Sequence, residues 1–170
     1  MTSFLCLHTY SGEETQAVGR LLGELAQPGD LFLLSGALGS GKTTLTQGIA
    51  WGLGVQEHAR SPTFVLVSEY RGRLPVYHVD LFRIDTPAEV LDLGLEEYLE
   101  GDGVVVVEWA EKAAEVLPQE HLWVELAYQG HGDHRAIRLK ARGRRYRNLL
   151  AQLEAAARAR GLGGLRAAGD

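Results

Sequence analysis

One glycine-rich segment constrains the fold of this 170-residue chain more than any other feature. Gly36–Thr43 reads Gly-Ala-Leu-Gly-Ser-Gly-Lys-Thr, which matches the pattern GxxxxGK[ST]. The run Asp30–Ser35 before it contains Leu-Phe-Leu-Leu, which is typical of a strand covered on both faces. A helix is predicted to begin at Lys42, because the apolar residues that follow recur at helical spacing. A strand, a glycine turn and a helix in this order predict an α/β fold with a phosphate-binding loop.

The residue types of this loop suit the binding of a nucleoside triphosphate. Glycine allows backbone conformations that a side chain would forbid, so successive N–H groups can point at one anion. The helix N-terminus adds its positive end to the same place. We expect Lys42 to reach the β- and γ-phosphates, Thr43 to ligate Mg²⁺ and Thr44 to lie near the α-phosphate. The remaining loop residues that we expect to contact the nucleotide are Leu38, Gly39, Ser40 and Gly41.

Two acidic residues are candidates to complete the magnesium site. A loop of this kind needs a carboxylate at the end of a neighbouring strand, to hold Mg²⁺ and to orient the attacking group. Glu108 follows the four valines Val104–Val107, the strongest strand pattern in the chain, and Asp80 follows Val76–Val79. We expect Glu108 to be the magnesium-associated residue and Asp80 to orient water. Either carboxylate could instead cap a helix or lie in a solvated loop.

Two absences from the sequence narrow the choice of nucleotide and reaction. A guanine-specific site would need an Asn-Lys-x-Asp stretch, which the chain lacks, so adenine and therefore ATP is preferred. The chain also lacks the long arginine-rich lid with which a small-molecule kinase excludes water. Slow hydrolysis used as a switch is therefore favoured. A small-molecule kinase and a nucleotide sensor that does not split ATP are the alternatives.

The rest of the chain adds strands and helices around this centre. A capping box at Ser11 and Glu14 predicts the start of a helix that Pro28-Gly29 ends. The other predicted helices are one or two within Pro87–Leu99, then Ala110–Leu117 and Arg144–Arg160. The other predicted strands are Phe4–His8 and two hairpins, Thr63–Tyr70 with Leu74–Asp80 and Leu122–Tyr128 with Ala136–Ala141.

Charge is distributed unevenly along the chain. Residues 1–134 carry 7 basic and 20 acidic side chains, and residues 135–170 carry 10 and 2, which leaves the net charge at −5. An acidic body is a poor nucleic-acid binder, so the basic C-terminal part is the candidate surface for RNA, although such a charge run is commonly a solvated helix. The single cysteine, Cys6, excludes an internal disulfide. No apolar run is long enough to span a bilayer and no signal peptide is recognisable, so we expect a cytoplasmic protein without membrane contact.

Four blocks of the sequence together resemble one family, the TsaE (YjeE) family, over about residues 10–141. This is the bacterial ATPase required, with TsaB and TsaD, for threonylcarbamoylation of adenosine 37 in tRNAs that read codons starting with A. The blocks are Gly36–Thr44, Ser61-Pro62-Thr63-Phe64, His78-Val79-Asp80-Leu81-Phe82-Arg83 and Glu108-Trp109. Two positions depart from the family pattern: Ala37 stands where an aspartate is usual, and Phe82 stands where a tyrosine is usual.

The resemblance implies a three-layer P-loop fold with a mixed, mostly parallel sheet and weak ATP hydrolysis stimulated by TsaB–TsaD. It implies that Thr43 and Glu108 are the magnesium-associated residues and that Asp80 is important for turnover. It also implies a switch-like segment near the γ-phosphate at Ser61–Phe64. The residues that the resemblance implies on the adenine side are the Ser11 loop, Lys112 and Arg135. The ATPase domain is expected to span residues 1–142, followed by a basic helix over 143–160 and a disordered tail over 161–170.

Three further residues allow two interpretations each. Thr63 could sense the γ-phosphate through its hydroxyl or belong to a plain turn before a strand. Trp109 could anchor a partner protein or lie in the core. His78 could hydrogen-bond Asp80 or be a satisfied core histidine. The sequence leaves these alternatives open.

Overall fold

Seven strands form one mixed sheet in the computed structural model, which describes residues 3–57, 66–130 and 132–165. The spatial order is β1-β7-β6-β2-β5-β4-β3. The four strands β6, β2, β5 and β4 are mutually parallel, whereas β7 is antiparallel to β1 and β6, and β3 is antiparallel to β4. Five of the seven strands therefore run in the same direction, which confirms the mixed, mostly parallel sheet. The strands are β1 Phe4–Thr9, β2 Leu31–Ser35, β3 Val67–Arg71, β4 Pro75–Asp80, β5 Val104–Glu108, β6 His121–Tyr128 and β7 Arg135–Arg142.

Helices cover both faces of the central strands. Alternate residues of β2 explain its continuous apolar run, since Phe32 and Leu34 face one hydrophobic cluster while Leu31 and Leu33 face the other. The first cluster lies under α1, α2 and α5, and the second lies under α3, α4 and two 3₁₀ turns. The result is a three-layer α/β fold. The helices are α1 Gly12–Leu25, α2 Lys42–Gly52, α3 Pro87–Leu91, α4 Glu96–Leu99 and α5 Arg144–Ala159, and the turns are Ala110–Lys112 and Ala114–Val116.

Four glycines bring the backbones of α1 and α2 into direct contact. A Cβ atom added at Gly23 would lie 2.1 Å from the carbonyl oxygen of Ile49, and one added at Gly48 would lie 2.2 Å from that of Gln16. Cβ atoms added at Gly19 and Gly52 would likewise lie 2.3 and 2.2 Å from the backbone of the opposite helix. Because no side chain fits between them at these positions, the two helices pack backbone against backbone. This contact between the two helices was not predicted from the sequence.

Helix α5 is held against the sheet near the start of β2 by polar as well as apolar contacts. The guanidinium of Arg145 forms two hydrogen bonds of 2.7 and 2.9 Å with the buried carboxylate of Asp30. The hydroxyl of Tyr146 accepts a hydrogen bond of 2.9 Å from the backbone N–H of Leu31. The apolar face of α5 joins the first hydrophobic cluster through Leu149, Leu150 and Leu153. The helix is therefore packed on the body of the domain.

Two segments differ from their prediction. The predicted helix over Ala110–Leu117 is two short 3₁₀ turns, because Ala113 has φ −141° and leaves the helical region between them. Residues 161–165, predicted as part of a disordered tail, continue from α5 and pack against the core through Leu162 and Leu165. The backbone N–H of His8 donates to the carbonyl of Gly163 at 2.8 Å. Residues 166–170 lie outside the described residues, as does the start of the predicted strand Thr63–Tyr70.

No helix within the described parts of the chain is both long and apolar enough to cross a membrane.

Candidate nucleotide-binding site

The glycine-rich loop connects the end of β2 to the start of α2, at the carboxyl edge of the central strands. Gly36 has φ 143°. A Cβ atom added at Gly36 would lie only 2.4 Å from the carbonyl oxygen of Leu126. Gly41 has φ 109° and is the N-cap of α2. Residues with side chains rarely adopt such values, so both positions require glycine. The loop that the sequence predicted therefore lies between a buried strand and a helix N-terminus.

Lys42 is buried inside this loop, with 5% of its surface exposed. Its Nζ donates hydrogen bonds to the carbonyl oxygens of Gly36 and Ala37, the latter at 2.9 Å, and lies 4.0 Å from the centre of the Trp109 ring. Burial lowers the pKa of Lys42, and the nearby carboxylates, Glu108 foremost, act in the opposite direction. The ammonium group is thus held among loop carbonyls and an aromatic face, in a position to exchange them for an anion.

The two candidate carboxylates meet at the same edge of the sheet. Strands β4 and β5 are parallel neighbours in which Asp80 pairs with Glu108. The Glu108 side chain is almost fully buried, with 2% exposed. Its Oε1 and Oε2 accept hydrogen bonds of 3.0 and 3.3 Å from the hydroxyl of Thr43. The Nε2 atom of His78 makes a hydrogen bond to Oε2 of Glu108. The sequence had left open whether His78 bonds Asp80 or is a satisfied core histidine, and its partner is Glu108.

Asp80 is less buried than Glu108 and has different partners. Its Oδ1 accepts a hydrogen bond of 2.9 Å from the backbone N–H of Phe82. Burial raises the pKa of the Asp80 carboxyl, and the neighbouring Glu108 raises it further, while the hydrogen bond from Phe82 opposes the shift. Asp80 is therefore a stronger base than an ordinary aspartate.

A cavity of about 480 Å³ brings most of these groups together. It is within the size range of small-molecule sites in proteins. Its lining residues are Leu38, Gly39, Gly41, Lys42, Thr43, Thr44, Leu66, Asp80, Phe82, Arg83, Glu108 and Trp109. Ser40 does not line it, but its buried hydroxyl has no hydrogen-bond partner in the described part of the chain. Thr63 and the whole segment Ser61–Phe64 lie outside the described residues.

Comparison with known proteins gives one consistent result. A family described as "Threonylcarbamoyl adenosine biosynthesis protein TsaE" matches residues 9–137. The chain belongs to the TsaE family. The protein of that name from Bacillus subtilis is 46% identical over 146 residues, which are 85% of this chain and 90% of the relative. The protein of that name from Treponema pallidum is 39% identical over a stretch that makes up 72% of this chain and 91% of the relative. A crystal structure of Bacillus subtilis YdiB superposes with a TM-score of 0.78 at 42% identity, covering 90% of this chain and 95% of that one.

Each of the three residues that the TsaE resemblance assigned to the adenine side makes contacts within the chain. The hydroxyl of Ser11 caps α1 by accepting from the N–H of Glu14 at 3.1 Å, and the next residue, Gly12, lies beside Thr44. Arg135 donates to the carbonyl of Ser40 at 3.0 Å from outside the loop. Lys112 donates to the carbonyls of Phe82 and Ile84, and it is not among the residues that line the cavity.

Several contacts that hold the glycine-rich loop in place were not predicted from the sequence. The hydroxyl of Tyr128 donates to the carbonyl of Gly39 at 2.6 Å, and its ring lies under the guanidinium of Arg135. The carboxylate of Glu111 accepts a hydrogen bond of 3.2 Å from the N–H of Gly36. Tyr128 ends β6, so only the spatial order of strands could have revealed that it reaches a loop 89 residues away.

Trp109 packs partly into the core, which is one of the two interpretations that the sequence left open. Its ring is partly buried against the second cluster, lies over Lys42 and packs against Phe82 at 5.2 Å between ring centres. Its backbone is left-handed, with φ 59° and ψ 36°, the only such non-glycine residue among those described. Strained backbone of this kind is concentrated at functional sites. Here it turns the chain sharply after Glu108, so that the indole faces the loop lysine.

Proposed function

We propose that this chain is a magnesium-dependent ATPase that acts with TsaB and TsaD in forming the threonylcarbamoyl group on adenosine 37 of tRNA. Membership of the TsaE family supports the role in tRNA threonylcarbamoyladenosine biosynthesis. The observation that carries the ATPase proposal is the contact of Thr43 with Glu108 beside the buried Lys42, at the mouth of one cavity. The proposal includes a cytoplasmic location, where tRNA is available.

The residues of the cavity suit ATP and Mg²⁺ chemically. Mg²⁺ prefers oxygen ligands, and the hydroxyl of Thr43 and the carboxylate of Glu108 supply them side by side. The ammonium of Lys42 and the N-terminus of α2 supply positive charge for a triphosphate. The hydroxyl of Ser40, which has no hydrogen-bond partner among the described residues, is a further polar group within the loop. When bound, ATP would supply the phosphoryl group that water attacks, and Mg²⁺ would offset its charge.

The two carboxylates are suited to different tasks. Glu108 accepts a hydrogen bond from Thr43, the residue that we expect to ligate Mg²⁺, so its carboxylate oxygens lie where they can hold the ion or its water. Asp80 has a raised pKa and lies on the wall of the same cavity. A more basic carboxylate is better suited to accept a proton from an attacking water molecule. We therefore assign magnesium association to Glu108 and water orientation to Asp80.

The segment Ser61–Phe64 stays a prediction, with Thr63 as its γ-phosphate sensor. We propose that ATP and Mg²⁺ order this segment and alter the surface that the chain offers to TsaB–TsaD. Contact with tRNA would be indirect or through the basic C-terminal segment. Four arginines of residues 135–170 already have carboxylate partners within the chain, namely Arg138 with Glu125, Arg145 with Asp30, Arg158 with Glu154 and Arg160 with Glu24. These pairs favour indirect contact.

Phosphate release with and without TsaB–TsaD tests the proposed function. We expect slow magnesium-dependent release from the chain alone and at least about tenfold stimulation by the complex, because an ordered partner surface is needed to complete the site. The control is TsaB–TsaD without this chain. Bound ATP that is never split in a single-turnover assay would identify a nucleotide sensor instead. A phosphorylated small molecule would identify a kinase.

Glu108→Gln and Asp80→Asn are matched variants that test the division of labour. We expect Glu108→Gln to raise the Mg²⁺ concentration needed for half-maximal hydrolysis, because an amide binds Mg²⁺ less strongly than a carboxylate. Asp80→Asn should leave that concentration unchanged and lower the maximal rate about 100-fold, the size of a typical general-base contribution. Nucleotide binding should survive in both variants. An unchanged rate in Asp80→Asn would move the water-orienting role to Glu108.

A further inference from the structure

We propose that His78 is a positioning residue that holds the Glu108 carboxylate in the orientation needed for magnesium. This inference rests on the proposed ATPase function. His78 does not line the cavity, so it would act only through Glu108.

The location of His78 leaves it few partners. It lies within β4 and is fully buried, with 0% of its surface exposed. Its Nε2 contacts Oε2 of Glu108, and its Nδ1 has no hydrogen-bond partner in the described segments. With its proton on Nε2, the imidazole donates a hydrogen bond to the carboxylate oxygen of Glu108. The hydrogen bond to Glu108 is therefore the polar contact that accounts for a histidine at this buried position.

Glu108 is held from two sides as a result. Thr43 donates to it from the start of α2, and His78 donates from the neighbouring strand β4. Thr43 belongs to the proposed magnesium site itself, whereas His78 has no atom there. Residues that hydrogen-bond a metal ligand from behind fix its orientation and strengthen metal binding, typically by 10–100-fold. His78 has the geometry of such a residue.

A histidine with only a packing role would destabilise the fold at this position relative to an apolar residue. The buried neighbours of His78 in β4, Val76 and Val79, are apolar and fill their clusters without a polar atom. Burying an imidazole costs free energy unless it is hydrogen-bonded. The cost is offset by Glu108 and not by Asp80, because the hydrogen bond recorded for the imidazole is the one with Glu108, while that of Asp80 comes from the N–H of Phe82. The contact with Glu108 is thus what separates His78 from an ordinary core residue.

Two variants of His78 test this role. Leucine fills the space without a donor, whereas glutamine places an N–H near the position of Nε2. We expect His78→Leu to raise the Mg²⁺ concentration for half-maximal hydrolysis about tenfold, and His78→Gln to raise it less than about threefold. Affinity for a fluorescent ATP analogue in excess EDTA should change less than about twofold in either variant, because the loop contacts do not involve His78.

A double variant provides the control. In a Glu108→Gln background, His78→Leu should have almost no further effect on Mg²⁺ dependence, since a residue that acts through Glu108 has nothing left to position. Equal Mg²⁺ dependence of His78→Leu and wild type would overturn the inference, and so would an equal loss in the leucine and glutamine variants. If the leucine variant does not fold, His78→Asn replaces it, because its shorter side chain cannot reach Glu108. Wild-type chain without magnesium-dependent hydrolysis would instead refute the proposed function.

Discussion

Lys42→Ala is expected to abolish tight nucleotide binding. The Lys42 ammonium is buried at the N-terminus of α2, where it donates hydrogen bonds to two loop carbonyls and makes a cation–π contact with the Trp109 ring. Each charged hydrogen bond that it would make to a phosphate contributes about 1.5–3 kcal/mol. Loss of two such bonds corresponds to an affinity at least about 100-fold weaker. Calorimetric titration with Mg-ATP measures this directly, and hydrolysis should fall with it.

Lys140→Ala is the matched control for that titration. The chain has three lysines, and Lys140 is exposed on β7, away from the residues that line the cavity. Removing it deletes the same charge and should change nucleotide affinity less than about twofold, because exposed charges at a distance are screened by salt. Wild-type affinity in Lys42→Ala would contradict the assignment of the cavity to a triphosphate. Far-UV circular dichroism of both variants shows whether the fold is intact.

Gly23→Ala is expected to destabilise the fold severely, although it adds a single methyl group on a helix. That methyl carbon would lie 2.1 Å from the carbonyl oxygen of Ile49 and 2.9 Å from the backbone of Gly52. Backbone atoms cannot rotate away, so α1 and α2 would have to separate along their length. Overpacking of this kind typically costs about 1–3 kcal/mol, and we expect the upper end of that range. For a domain of this size the melting temperature would then fall by roughly 6–12 °C.

Gly12→Ala is the same substitution in the same helix without the steric conflict. A Cβ at Gly12 would meet only the methyl of Thr44, at 4.0 Å. Alanine has a higher helix propensity than glycine, so this variant should melt at or slightly above the wild-type temperature. Thermal melts of the two variants side by side separate the steric cost from propensity. A Gly23→Ala variant as stable as Gly12→Ala would show that the helices are not in backbone contact.

The part of the site that the sequence predicted depends on short-range order. The loop, its strand and its helix are contiguous, so the glycine positions and Lys42 follow from one motif. Glu108 and Asp80 could be predicted because each ends a strand, and parallel neighbours deliver their carboxyl ends to the same edge. The roles of these residues stay predictions until the variants above are measured.

The contacts that the sequence did not predict depend on which elements become neighbours. The partner of His78 is decided by the register between β4 and β5, which places Glu108 of the neighbouring strand within its reach. The contact of Tyr128 with the loop is decided by the position of β6 next to β2. The four interhelical glycines did carry a signal, since they recur four residues apart in both helices, but a glycine pair is also typical of a weak helix. Only the packing of α1 against α2 shows that these glycines mark a close helix contact and not a weak helix.

The touching backbones of α1 and α2 also limit how this protein can respond to its ligand. Two helices that fit together through carbonyls and glycine Cα atoms can neither slide nor roll without collision. We therefore expect α2 to keep its position against α1, rather than to shift along its axis, when a nucleotide binds. We expect motion on nucleotide exchange to be confined to the connections that follow β4 and β5, where Phe82, Trp109 and Lys112 make contacts that can be rearranged side chain by side chain.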